Sequence, residues 1–127
     1  MTKRTHIAVG IAVTLPLLNL VPRYAFVGIL GSIIADWDLL LGIKHRTITH
    51  SLLALILVTL ATMVLNFNIG LIIGFNYLTH LLLDSCTKTG VPFLYPFNKK
   101  YYGSKLVKTG GVEDLSICLL SIFLIFI

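Results

Sequence analysis

Charge is what this sequence lacks most. Asp, Glu, Lys and Arg make up 12% of its 127 residues, about half the roughly 25% found in a soluble globular domain. So few charges do not easily solvate a globular surface in water, and the mean hydropathy of +0.95 agrees. A membrane is the expected solvent. Cysteine is scarce too. Cys86 and Cys118 form no CxxC pair and no repeating spacing, which argues against a disulfide framework or a thiolate metal site and for two reduced, buried thiols. No RRM-like, zinc-finger or helix-turn-helix pattern is visible, and there is no internal repeat or low-complexity tail. A small-x-small cleavage site is missing as well. Lys3 and Arg4 before Ile7–Val21 imitate a signal peptide, but Pro16, Asn19 and Pro22 lead into Arg23, so the segment reads as a mature helix.

What the chain has is apolar length. Five segments stand out: Ile7–Val21, Tyr24–Ile43, Ser51–Asn66, Ile69–Asp84 and Val112–Ile127. A membrane span takes about 20 apolar residues. The second segment meets this, and the others are somewhat short. Ser51–Leu83 runs 33 residues without an Asp, Glu, Lys or Arg, too long for one span. Asn66-Phe67-Asn68 divides it into a helical hairpin. The expected fold is all-α: one integral-membrane domain over residues 1–127, a polytopic bundle of about five helices.

With a cytoplasmic N-terminus and five crossings, Lys3, Arg4, Lys44, Arg46, Lys88, Lys99, Lys100, Lys105 and Lys108 fall inside and only Arg23 outside. That is the positive-inside pattern of a multi-pass plasma or inner membrane protein. It accounts for the net charge of +5 without nucleic acid. The same topology brings all four histidines and all five acids to one membrane face.

Four motifs lie there. His80 and Asp84 are four residues apart, so they share a helix face and reach one metal ion or each other. Asp36 and Asp38 point about 200° apart on a regular helix and cannot both face one ion unless the helix ends or unwinds. One of them can bind while the other orients a histidine. His45 and His50 flank a turn. His50 is expected in the first turn of the third segment with Thr47 or Thr49 as its N-cap, and Arg46 at the headgroup level, placed to contact phosphate. His6 joins by depth alone. Residues 85–111 form a 27-residue polar connection with Phe93, Tyr95, Phe97, Tyr101, Tyr102 and five lysines, long enough to be functional. The packing signals are Gly70 and Gly74, a GxxxG, with Gly28, Gly31, Ser32 and Ala35 in the second segment.

These ligands are imidazole and carboxylate only. They suit zinc, manganese or iron, and a metal-activated water attacking an ester or phosphoester is the matching chemistry. Intramembrane ionisable groups point to function rather than to self-satisfied pairs. His6, Asp36-Trp37-Asp38, His45-Arg46 with Thr49-His50-Ser51, and His80 with Asp84 together resemble the YdjM-like family of membrane-bound metal-dependent hydrolases, over about residues 6–97. More loosely, the HxxxD helix is similar to helical zinc-dependent phospholipase C enzymes. Ala35 stands where family members often carry Pro, and Thr47 where they often carry Gly.

The resemblance implies a polytopic inner-membrane protein with metal-dependent hydrolase activity. The residues themselves offer His6, His45, His50, His80 and Asp84 as metal ligands, with Asp36 and Asp38 as ligand or base. Asp36, Asp38 and Arg46 are the expected catalytic residues, and a lipid or phospholipid ester or phosphodiester the expected substrate. The alternative is a metal- or ion-binding membrane protein or transporter without catalysis.

Overall fold

The computed structural model describes residues 1–18 and 24–127. Asn19, Val21, Pro22 and Arg23, the last of them the one cation expected outside, lie beyond the described residues. Their regular structure is helical, with two isolated β-bridges and no strand: α1 Lys3–Leu18, α2 Ala25–Ile33, α3 Asp38–Leu41, α4 Leu52–Leu65, α5 Phe67–Ser85 and α6 Val112–Phe126.

Helix α5 is the axis. Gly70, Ile73, Gly74, Tyr77, His80, Leu81 and Asp84 form its buried stripe at three- and four-residue spacing. It packs on α4, α2 and α1, and α6 packs on α1. Glycine makes the close approaches possible. A Cβ on Gly31 would lie 3.0 Å from the Ile73 carbonyl oxygen, and one on Gly70 would lie 2.6 Å from Met63 Cα. The α4–α5 turn is the expected hairpin. Asn66 ends α4 and caps α5, its Oδ1 accepting from the Asn68 and Ile69 amides at 3.0 and 3.2 Å.

The interior is polar and the exterior apolar. Among the described residues, fifteen polar or charged residues are buried against nine hydrophobic ones, while Phe26, Leu40, Val64, Leu65 and Phe126 are among the many large apolar side chains left exposed. In water such an apolar surface would drive association. The apolar part of the core is small: Ala35, Tyr77, Leu81 and Val91, flanked by Leu55, Val58 and Phe93.

Two expectations change. The second segment is not one helix over Tyr24–Ile43. It unwinds into a 3₁₀ turn at Ile34–Trp37 and resumes as α3, which stops at Gly42 with φ 68°. The buried Asp36 and Asp38 make this break useful, because only an irregular backbone turns both inward. His50 is not in the first turn of α4. It closes a 3₁₀ turn at Ile48–His50, and Ser51 is the N-cap, its hydroxyl accepting from the Ala54 amide at 3.2 Å. Among the described residues, α5 is the one helix both long and apolar enough to cross a membrane. Cys86 and Cys118 are free thiols, as expected, but both are partly exposed rather than buried.

Candidate metal centre

The break after α2, the turn before α4, the start of α1 and the last turns of α5 meet at one place. Seven sequence-predicted residues meet there. His6, Asp36, Asp38, His50, His80 and Asp84 are buried, and His45 is 35% exposed. His50 Nε2 lies 3.3 Å from both His80 Nε2 and Asp84 Oδ2. His6 stacks on His80 with ring centroids 3.7 Å apart, and its Nε2 is 3.2 Å from Asp84 Oδ1. Asp36 Oδ1 stands 3.6 to 3.8 Å from Nε2 of His80, His50 and His45.

The orientation of each ring has a cause. His80 Nδ1 is 2.6 Å from the Ser32 carbonyl oxygen. A carbonyl only accepts, so Nδ1 carries the proton and Nε2 presents its lone pair to the cluster. His45 Nδ1 donates to Asp38 Oδ1 at 3.0 Å, with the same result for its Nε2. Asp38 Oδ2 also accepts from Thr49 Oγ1 at 2.8 Å and from the Arg46 amide at 3.2 Å. Asp38 is therefore spent on holding the His45 turn, including Arg46 at φ 59°, a costly backbone angle for a non-glycine residue. Asp36 makes no such commitments.

Arg46 lies elsewhere than expected. It is 7% exposed and reaches inward. Its Nη2 donates to Asp84 at 3.1 Å and its Nη1 to Thr87 Oγ1 at 2.8 Å. The Asp84 carboxylate also pairs with the Met1 amine. A buried carboxylate needs such partners, since an unpaired buried charge costs several kcal/mol.

Sequence reading missed Ser32, Asn76 and Thr14 as site residues. Ser32 Oγ donates to Asn76 Oδ1 at 3.1 Å, and Asn76 Nδ2 donates to Thr14 Oγ1 at 2.9 Å. This buried chain braces the α2 turn that holds His80. Its signal was present: Asn76, His80 and Asp84 follow one another at four-residue spacing.

The cluster fits a cation. His6 Nδ1 is buried without a hydrogen-bond partner and Nε2 meets only the Asp84 carboxylate, and native proteins rarely leave a buried ring nitrogen unpaired unless another ligand is expected. The donors of His6, His80 and Asp84 lie within 4.8 Å of one another, and so do those of Asp36, His45 and His50. Nitrogen and oxygen donors alone match zinc, manganese or iron.

An all-helical chain with an apolar exterior and a buried His/Asp cluster able to take a metal is the class this structure defines. The chain belongs to the YdjM inner membrane protein family, whose profile matches residues 1–126. No curated protein and no solved structure matches it.

Proposed function

We propose that this protein is a multi-pass membrane hydrolase whose His/Asp cluster holds one or two divalent ions, zinc first and manganese or iron next. The observation that carries the reading is the cluster itself. Four histidines and two aspartates from four separate segments converge with their ring nitrogens and carboxylate oxygens close together, Asp38 orients His45 behind them, and His6 Nδ1 is buried with no hydrogen-bond partner. Structural need alone does not account for so many ionisable groups in so apolar a chain. A bound ion of this kind lowers the pKa of water and polarises an ester or phosphoryl oxygen.

The chain's own residues divide the remaining work. His6, His80 and Asp84 hold one position, and Asp36, His45 and His50 the other. Asp38 and the Ser32 carbonyl fix imidazole orientation, the outer interactions on which ligand affinity depends. Asp36, with no committed hydrogen bond, is the carboxylate free to ligate or to take a proton. Arg46 balances the charge of Asp84. The substrate is a membrane lipid or phospholipid with a scissile ester or phosphodiester, because the cluster lies at the end of α5, beside the lysine-rich loop, where headgroups would sit.

Metal analysis of purified protein, prepared without chelator, tests the reading alongside His80→Ala and Asp84→Ala. Stoichiometric metal lost in both variants, together with phospholipid or chromogenic phosphodiester cleavage lost with it, is the expected result. Metal-free wild type sinks the hydrolase. A second reading, metal binding or ion transport without catalysis, draws on the buried Ser32–Asn76–Thr14 chain that continues from His80 into the bundle. Metal uptake with no cleavage of any ester tested would favour it.

A further inference from the structure

His45 marks the way into the cluster. It is 35% exposed, whereas the side chains of the six other cluster residues are at most 8% exposed. A cavity of about 450 Å³ opens beside it, lined also by Met1, whose amine is paired with Asp84, and by Lys44, Arg46, Thr89, Tyr101 and Thr109. We propose that this cavity is a phosphate subsite, with Lys44 as its cation and Thr89 and Thr109 as its hydroxyl donors. The inference rests on the hydrolase reading for its placement, since an anion seated there faces His45.

The charge balance of the wall favours an anion. The cavity is lined by two cationic side chains and no carboxylate. Arg46 is already engaged by Asp84, Thr87 and the Gly90 carbonyl. The phosphate role expected of Arg46 thus passes to its neighbour. Lys44 is exposed, and its ammonium has no hydrogen-bond or ion-pair partner among the described residues. The Thr89 and Thr109 hydroxyls are likewise without a hydrogen-bond partner among them, while the Tyr101 hydroxyl donates to the Arg46 carbonyl at 3.0 Å and so is spent on shaping the wall. One ammonium and two hydroxyls offer more donors than the two oxygens of a carboxylate use, and they suit the several oxygens of a tetrahedral phosphate. That phosphate is either a lipid headgroup or a free one.

Calorimetric titration in a neutral detergent separates these cases. Inorganic phosphate and dihexanoyl phosphatidic acid are each titrated into wild type, Lys44→Glu, the double variant Thr89→Val with Thr109→Val, and Lys99→Glu, a loop lysine outside the cavity. Each protein is measured both chelator-treated and zinc-loaded. In the chelator-treated form, Lys44→Glu is expected to weaken binding about tenfold or more, the loss of one charge-assisted hydrogen bond. The threonine pair should weaken it several-fold, and Lys99→Glu should leave it unchanged. Tighter binding of phosphatidic acid than of phosphate identifies a lipid headgroup, and equal binding identifies free phosphate; both support the subsite. Wild type that binds neither probe, or Lys44→Glu that binds like wild type, overturns it. Metal content of the same samples keeps the two readings apart. Lys44-dependent phosphate binding in a protein that takes up no zinc, manganese or iron leaves the subsite standing and removes the hydrolase.

Discussion

Asp36 and Asp38 are two residues apart in the chain, yet the structure gives them different work. Asp38 has three hydrogen-bond partners within 3.2 Å, His45, Thr49 and the Arg46 amide. Asp36 has only imidazole Nε2 atoms at 3.6 to 3.8 Å. Distances of that size between a carboxylate and several lone-pair nitrogens leave room for an ion, whereas the Asp38 contacts are already complete. Asp38→Ala should therefore free the His45 ring without deleting a ligand, and lower metal affinity about 10–100-fold, as for other residues that orient a ligand. Asp36→Ala removes a donor and should lower it further. Competition against a chromophoric chelator measures both. Equal affinities for Asp38→Ala and wild type would show that the His45 orientation does not depend on this carboxylate.

Among the elements, the pairing of α4 with α5 is the tightest test of the packing. Gly70 lies so close to α4 that an added Cβ would fall 2.6 Å from Met63 Cα. Backbone cannot yield as a flexible side chain can, so Gly70→Ala must push the helices apart. Overpacking of this kind costs about 1–3 kcal/mol, and a thermal melt in detergent should show the loss. Gly42→Ala is the contrast. Nothing lies within 4 Å of its added Cβ, and only its φ of 68° opposes the change, at roughly 1–2 kcal/mol. It should leave the α4–α5 contact intact, as a crosslink between the two helices would report. The GxxxG of this pairing was legible in the sequence, as were the Asn66 turn and the His80–Asp84 face, because helical periodicity carries local geometry. The 3₁₀ break at Ile34–Trp37 was open only as a condition for both aspartates to turn inward. Arg46 was misplaced for a different reason. Its partners Asp84, Thr87 and Gly90 lie about forty residues away, and no local pattern reports a contact of that separation. Ser51 rather than Thr47 or Thr49 is the cap because α4 begins only at Leu52, after the 3₁₀ turn, while the Thr47 and Thr49 hydroxyls are held by the Lys44 carbonyl and Asp38.

At the scale of the whole molecule, the question is whether α5 crosses a bilayer and in which direction. Its 19 residues span about 28 Å at 1.5 Å per residue, close to the roughly 30 Å of a hydrocarbon core. Asn68 is exposed at its first turn, and Ser104 is tied to its last turn by an amide that donates to the Ser85 carbonyl at 3.0 Å. If α5 crosses, these two positions lie on opposite sides, and the lysine distribution puts Ser104 inside. Single cysteines at Ser104 and at Asn68, in a background with Cys86 and Cys118 replaced by Ala, should react with a membrane-impermeant maleimide from opposite sides: Ser104→Cys only in inverted vesicles, Asn68→Cys only in intact spheroplasts. Labelling of both from one side would mean that α5 does not span, and the proposed placement of the cluster at the cytoplasmic headgroups would fall. The reverse pattern would keep the span but move His80 and Asp84 to the outer face. The lysines of residues 85–111 would then lie on the translocated side, against the charge rule that orients such chains.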